Sequence, residues 1–431
     1  MAFQTALKTA QLSMMHSPQK MPTFNRTYLY LLLLFLAELG VITFARANIN
    51  PYLTPLLLLI FPIAFGALAL QQGKPLDYLP LTFPAYLLIG MWVAALILIG
   101  FIFATTPISL PLSDTIPIML SAVKKLTAGE FPYTPVDEGW GYTAFCTYMP
   151  MHWLPLVLPH LLGIEVRWVG VLVFLGVNIA YCYTQVKTWK VPLPPFSPPL
   201  FLLIIPLHDL HSLGQTMELM IVAYYMLLVF ALFSGKMGWQ ILAISLCLLS
   251  RYSLLIWLPL WVGLMFFYDS KRKALTLTGG IVFCILIGYI LPFWIKDTSI
   301  FSQALEYYST SSGRLWQMMG EWQKAGDTPF ILRGGGSLAI YFYHFLGGDI
   351  PHKLLFLKYT QLIMSSLFIG TAFVAYPFFR KKISYQLYAI YCLPIYLGIF
   401  YAFMLVPFMY LQLVPCGVMM ALLISRRFSQ I

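Results

Sequence analysis

The chain has 431 residues, of which 60% are hydrophobic and 10% charged, with a mean hydropathy of +0.80. Soluble domains carry roughly 25% charged residues, which excludes an ordinary soluble fold. The 26 Lys and Arg against 15 Asp and Glu give +11, a surplus that fits cationic cytoplasmic loops of a membrane protein and not a nucleic-acid partner.

The first 27 residues hold Lys8, Lys20 and Arg26 and read as a cytosolic tail. Ala45-Arg46-Ala47 is shaped like a signal-peptidase site, but the long tail and the length of the apolar run before it favour a retained helix. Apolar runs follow at 28–45, 52–71 and 83–105, then at 166–185, 197–210, 214–234, 238–250, 252–268, 274–294, 357–379, 384–403 and 406–425. The expected fold is therefore an all-α polytopic membrane protein with about twelve transmembrane helices of ~20 residues each. These form one membrane domain over 28–431.

Placing both termini in the cytoplasm puts Lys187, Lys190, Lys236, Lys271-Arg272-Lys273, Arg380-Lys381-Lys382 and Arg426-Arg427 on the cytoplasmic side. Segments 106–165 and 295–356 then become outer loops, and most carboxylates fall in or near them. No internal repeat is evident, which weighs against transporter folds built from duplicated halves. Five of the six cysteines (Cys182, Cys247, Cys284, Cys392 and Cys416) lie in apolar runs, and Cys146 lies in the first outer loop. Neither a disulfide framework nor metal-type spacing emerges.

The first outer loop concentrates the chemistry. Asp114 sits just beyond the third run. Ile116 to Leu126 then alternate apolar and basic positions at helical spacing, as a juxtamembrane helix lying on the lipid surface would. Held there, the Asp114 carboxylate suits a general base at the lipid–water boundary, and it equally suits an N-cap of that helix. Asp137 and Glu138 lie among Trp140, Tyr142 and Tyr148, an arrangement that serves sugar binding or a solvated loop. His152 beside Trp153 suits a base-orienting or a structural role. Further on, His208-Asp209-Leu210-His211 is a metal-like grouping, with polar capping of a span end as the alternative.

Asp114, Lys124-Lys125-Leu126-Thr127-Ala128-Gly129 and Phe131-Pro132-Tyr133 resemble the first outer loop of GT-C membrane glycosyltransferases, in the branch that uses polyprenyl-phosphate mannose. Tyr148-Met149-Pro150, Trp153-Leu154-Pro155, Leu162-Gly163 and Arg167 match its juxtamembrane part. Leu213-Gly214-Gln215 looks like the Gly-Gln these enzymes carry, and Arg251 stands where they often have Lys. The resemblance covers roughly 105–270. It departs in placing three apolar runs before the loop and in lacking a second acid beside Asp114.

The resemblance implies a helical bundle with an outward cavity in the plasma membrane (bacterial inner membrane) and a mannosyltransferase-like, inverting hexose transfer. The donor would be a polyprenyl-phosphate-linked sugar and the acceptor an extracytoplasmic glycan or glycolipid. Asp114 would be the catalytic base, and Mg or Mn is a possible cofactor. A lipid phosphate leaving group calls for cations, and Arg167, Arg251 and Lys124 are the candidates, with headgroup contact as their alternative. Tyr133, Tyr148, His152 and Gln215 join Asp137, Glu138 and Trp140 on the substrate side. Two rivals remain: a polymerase or ligase using polyprenyl-diphosphate glycans, which would lean on Arg314 and Arg333, and a lipid or solute transporter, for which Glu38 and Glu218 are the acids nearest mid-membrane.

Overall fold

The computed structural model describes residues 26–74, 76, 82–110, 113–136, 143–185, 190–207, 211–318, 327–333 and 335–425. The tail expected over 1–27 lies outside them except for its last two residues. Fifteen α-helices of seven residues or more carry the architecture among the described residues. In chain order, α1 (Arg26–Asn48), α2 (Leu53–Gln72) and α3 (Ala85–Thr105) precede the first expected outer loop, which contains α4 (Thr115–Thr127). Next come α5 (Trp168–Gln185), α6 (Ser197–Ile204), α7 (Glu218–Ser234), α8 (Met237–Leu248) and α9 (Leu258–Tyr268). The remainder is α10 (Lys271–Ile285), α11 (Ile300–Gln317), α12 (Ala339–Phe345), α13 (Ile350–Phe379), α14 (Tyr385–Ala402) and α15 (Leu413–Ile424). A two-stranded antiparallel ribbon, β1 (Thr82–Pro84) with β2 (Lys190–Pro192), ties the entrance of α3 to the exit of α5.

Among the described residues, six helices are long and apolar enough to cross a membrane: Arg26–Phe44, Leu53–Gln72, Ala85–Thr105, Lys271–Trp294, Ile350–Phe379 and Tyr385–Ala402. The other six expected runs also form apolar helices, five of them of 11–17 residues, and α5 is apolar over Trp168–Tyr181. Proline accounts for part of this. The 197–210 run opens on Pro198-Pro199 and tightens to a 3₁₀ turn at Ile205–Leu207, and α15 follows a 3₁₀ turn at Met409–Gln412.

The apolar residues face in two directions. α14 lies at the centre, with most of its surface buried. By contrast Ile97, Val374 and Phe378 on α3 and α13 are 68%, 69% and 82% exposed. Open apolar flanks on helices whose backbone groups are satisfied internally are what a hydrocarbon solvent requires. Inside, small residues set the spacing. A Cβ on Gly66 of α2 would collide with Ile395 and come within 2.7 Å of the Tyr391 carbonyl on α14. On Gly417 of α15 it would stand 2.5 Å from Val222 on α7. Both helix pairs therefore depend on glycine for their close approach.

α4 is amphipathic as expected, but its apolar face is turned into the protein and not onto lipid. Ile116, Met119, Ala122 and Val123 are at most 1% exposed, and the helix packs on the turn at Pro150–Trp153. Lys124 is exposed. α10 continues as a π-helix over Leu286–Trp294, which carries Pro292 and turns Tyr289 and Phe293 inward. The segment expected as the second outer loop, 295–356, supplies α11, which packs against α13.

Candidate functional site

The Gly-x-Phe-Pro-Tyr stretch acts as a brace. Gly129 takes φ +77°, a left-handed conformation that ends α4 at little steric cost. Its turn delivers Tyr133, whose hydroxyl donates to the Tyr148 carbonyl at 3.1 Å and accepts from Trp153 Nε1 at 3.2 Å. The Tyr133, Trp153 and Phe293 rings meet edge to face, and Val136 pairs with Ala144 across the intervening loop. Tyr133 and Trp153 thereby pack onto the π-helical continuation of α10.

Behind this brace is a cavity of ≈ 230 Å³, just below the ~300–1,000 Å³ range of small-molecule sites. Asp114, Tyr133, Tyr148 and His152 line it from the segment expected as the first outer loop, and Arg251 from the turn after α8. One face of α11 closes it, including Tyr307, Tyr308, Ser311 and Ser312. Tyr252, Tyr289 and Tyr410 complete an aromatic, hydroxyl-bearing wall. The two expected outer loops therefore meet at one site.

Asp114 precedes α4 and makes no side-chain capping bond to it. Its carboxylate lies near the Tyr148 hydroxyl, which burial first, and then Tyr410 and Asp114, push well above the ordinary tyrosine value. His152 is 2% exposed and its ring meets Tyr148 at 4.8 Å. Burial first, and the positive Arg251 next, hold it well below the ordinary histidine value, so it is neutral near pH 7.

Arg251 sits in extended backbone between α8 and the turn at Tyr252–Leu254. Its Nη1 and Nη2 donate to the two carboxylate oxygens of Glu218 at 2.6 and 2.8 Å, and Nη1 also reaches the Tyr401 hydroxyl at 3.5 Å. Tyr401 and Tyr225 share Ser253 Oγ at 3.2 and 2.7 Å, and Tyr396 donates to the Ser253 carbonyl. The guanidinium is thereby fixed by α7 and α14.

Arg167, expected at the donor phosphate, lies outside this cavity lining, with its guanidinium bonded to neighbouring chain. Nε and Nη2 donate to Glu165, Nη2 also to the Phe103 carbonyl, and Nη1 to the Thr106 and Gly214 carbonyls, all within 3.0 Å. A guanidinium has five N–H donors, and all five are engaged. Arg167 satisfies carbonyls at the C-terminal end of α3 and joins them to the 211–214 turn. For Glu165, burial alone would raise the carboxyl, but the bonds to Arg167 outweigh it and leave it below the ordinary value.

Gln215 also lies outside the cavity lining and donates to the Pro107 carbonyl at 2.7 Å. Lys124 is exposed on α4 and outside the cavity lining, while Lys125 Nζ donates to the Thr134 and Pro135 carbonyls at 2.9 and 3.0 Å. Asp137, Glu138 and Trp140 lie outside the described residues, as do His208 and Asp209, and of His211 only the backbone is described. Among the described residues no group of three or more His, Cys, Asp or Glu is assembled for a metal. Arg333 reaches Asp327 at 3.5 Å on the surface, and Arg314 lies beside Tyr307. Glu38 is buried in α1, with neither carboxyl oxygen hydrogen-bonded among the described residues.

Sequence reading missed the contribution of α11. Its signal was the i, i+3/i+4 series Phe301, Ala304, Leu305, Tyr308, Ser311, Ser312 and Leu315. No protein-family model, curated protein or solved structure matches the chain.

Proposed function

We propose that the chain is a membrane glycosyltransferase of GT-C type that transfers one hexose, with mannose the first candidate, from a polyprenyl-phosphate donor to an extracytoplasmic acceptor. The observation that carries this reading is the convergence of Asp114 and Arg251 on one cavity rich in tyrosine hydroxyls. Asp114 takes the proton of an acceptor hydroxyl as that oxygen attacks the anomeric carbon. The bond from that carbon to the phosphate oxygen breaks, its electron pair leaves with the lipid phosphate, and Arg251 holds the phosphate. A single displacement inverts the anomeric configuration. His152, neutral and packed on Tyr148, shapes the wall beside the base. The wall's tyrosines offer ring faces and hydroxyls to a sugar.

The reading extends to the setting: a plasma membrane such as a bacterial inner membrane, crossed about twelve times, with the cavity on the extracytoplasmic side. The presence of Arg314 beside Tyr307 favours a second reading, a polymerase or ligase acting on a polyprenyl-diphosphate glycan. Comparing Asp114→Asn with Arg314→Gln in a transfer assay separates them. The first reading expects the larger loss from Asp114→Asn, the second from Arg314→Gln.

A further inference from the structure

We propose that Glu218 sets the charge of the group this cavity accepts, restricting it to a singly charged phosphodiester and rejecting phosphate monoesters and diphosphates. This rests on the reading of the cavity as a lipid-phosphate site. Glu218 is 1% exposed, lies behind Arg251, and occupies the Nη1–Nη2 edge of the guanidinium with both oxygens. Of the five N–H donors this leaves Nε–H and the second Nη2–H, the side-on edge, which suits two oxygens of a phosphate. Arg251 can therefore hold Glu218 and a phosphate together, but its positive charge is already matched.

Around the pair the cavity adds the Asp114 carboxylate, a neutral His152 and uncharged hydroxyls. The lining thus carries one guanidinium, already bound by Glu218, together with the Asp114 carboxylate, while Arg314 is exposed beside Tyr307. A phosphodiester brings one negative charge into this field. A diphosphate brings two or three, uncompensated and close to Asp114, and like charges so placed cost binding steeply. Transfer turns a diester donor into a monoester product with an additional ionisable oxygen, so the same preference speeds product release. The task of Glu218 is to position Arg251 and tune its charge, without touching substrate.

The test uses the purified full-length chain in detergent micelles and three probes with one tail: farnesyl methyl phosphate, farnesyl phosphate and farnesyl diphosphate. Binding is read by thermophoresis for wild type, Glu218→Gln, Glu218→Asp and Asp114→Asn. Wild type is expected to prefer the diester over the diphosphate by about tenfold or more, Glu218→Gln to erase that preference, and Glu218→Asp to restore it. A wild type that binds the diphosphate as tightly as the diester overturns the proposal, even if the variants fail to fold. So does an unchanged ratio in a folded Glu218→Gln. If no probe binds a folded wild type, the lipid-phosphate reading falls as well. If the diester binds but the ratio ignores Glu218, only the charge filter falls.

Discussion

Glu218 and Arg251, 33 residues apart, close on each other through two parallel contacts of 2.6 and 2.8 Å beside the cavity. The pair joins the start of α7 to the turn after α8, and Tyr401 of α14 adds a third support. Breaking such a pair by removing one partner costs ~3–5 kcal/mol, because the other charge stays buried, whereas apolar replacement of both is far milder. Arg251→Ala is therefore expected to lower the melting temperature in detergent more than the double change Glu218→Leu with Arg251→Met. Equal losses would show that the pair is not an energetic unit.

Arg167 is expected to matter for folding and not for chemistry. Lysine has three donors on a point charge and cannot serve the carbonyls of Phe103, Thr106 and Gly214 together with Glu165. Arg167→Lys should cost ~2–3 kcal/mol of stability, since buried acceptors are left unmet. The folded fraction should keep a near wild-type turnover per molecule. A large fall in turnover at unchanged melting would return Arg167 to the catalytic machinery.

Gly129 tests the brace. An added Cβ there meets nothing within 4 Å, so the cost of Gly129→Ala is backbone strain at φ +77°, about 1–2 kcal/mol. Melting by differential scanning fluorimetry should show that loss, and Glu130→Ala next to it should not. Equal effects would mean that the left-handed turn is not what holds Tyr133.

Acid should destabilise the fold in two steps. His152 lies below its free value in the folded chain, so near and below pH ~6.5 the unfolded chain binds a proton that the folded chain refuses. Stability then falls as pH drops through that range. The Glu165 carboxyl is also lowered in the fold, so its contribution is present above the free value of ~4.3 and is lost as pH falls through the folded value. His152→Gln should flatten the first step and leave the second. A profile unchanged by His152→Gln would place the first step on another group.

Much of this arrangement was legible in the sequence, because apolar runs and a polar loop are local signals. Every expected run became an apolar helix, and Pro198 and Pro199 mark one of the runs that fell short of span length. Asp114, Tyr133, Tyr148 and His152 converge because they share one loop braced on Trp153. Partners distant in the chain were not legible. Nothing in the spacing of Glu218 and Arg251 announces a pair, and nothing around Arg167 tells that carbonyls at the end of α3 will take its donors. Amphipathicity alone could not tell whether α4 faces lipid or protein, since both reward the same stripe.

The most direct measurement is single-turnover transfer by the purified chain from a mannosyl phosphoryl polyprenol to an acceptor extract, comparing wild type with Asp114→Asn at equal donor occupancy. The expected result is transfer by wild type, with the rate falling at least about a hundredfold in Asp114→Asn while donor affinity and melting stay near wild type. Full transfer by Asp114→Asn, or no transfer by a folded wild type that binds the donor, would contradict the assignment of Asp114 as the base of a glycosyl transfer.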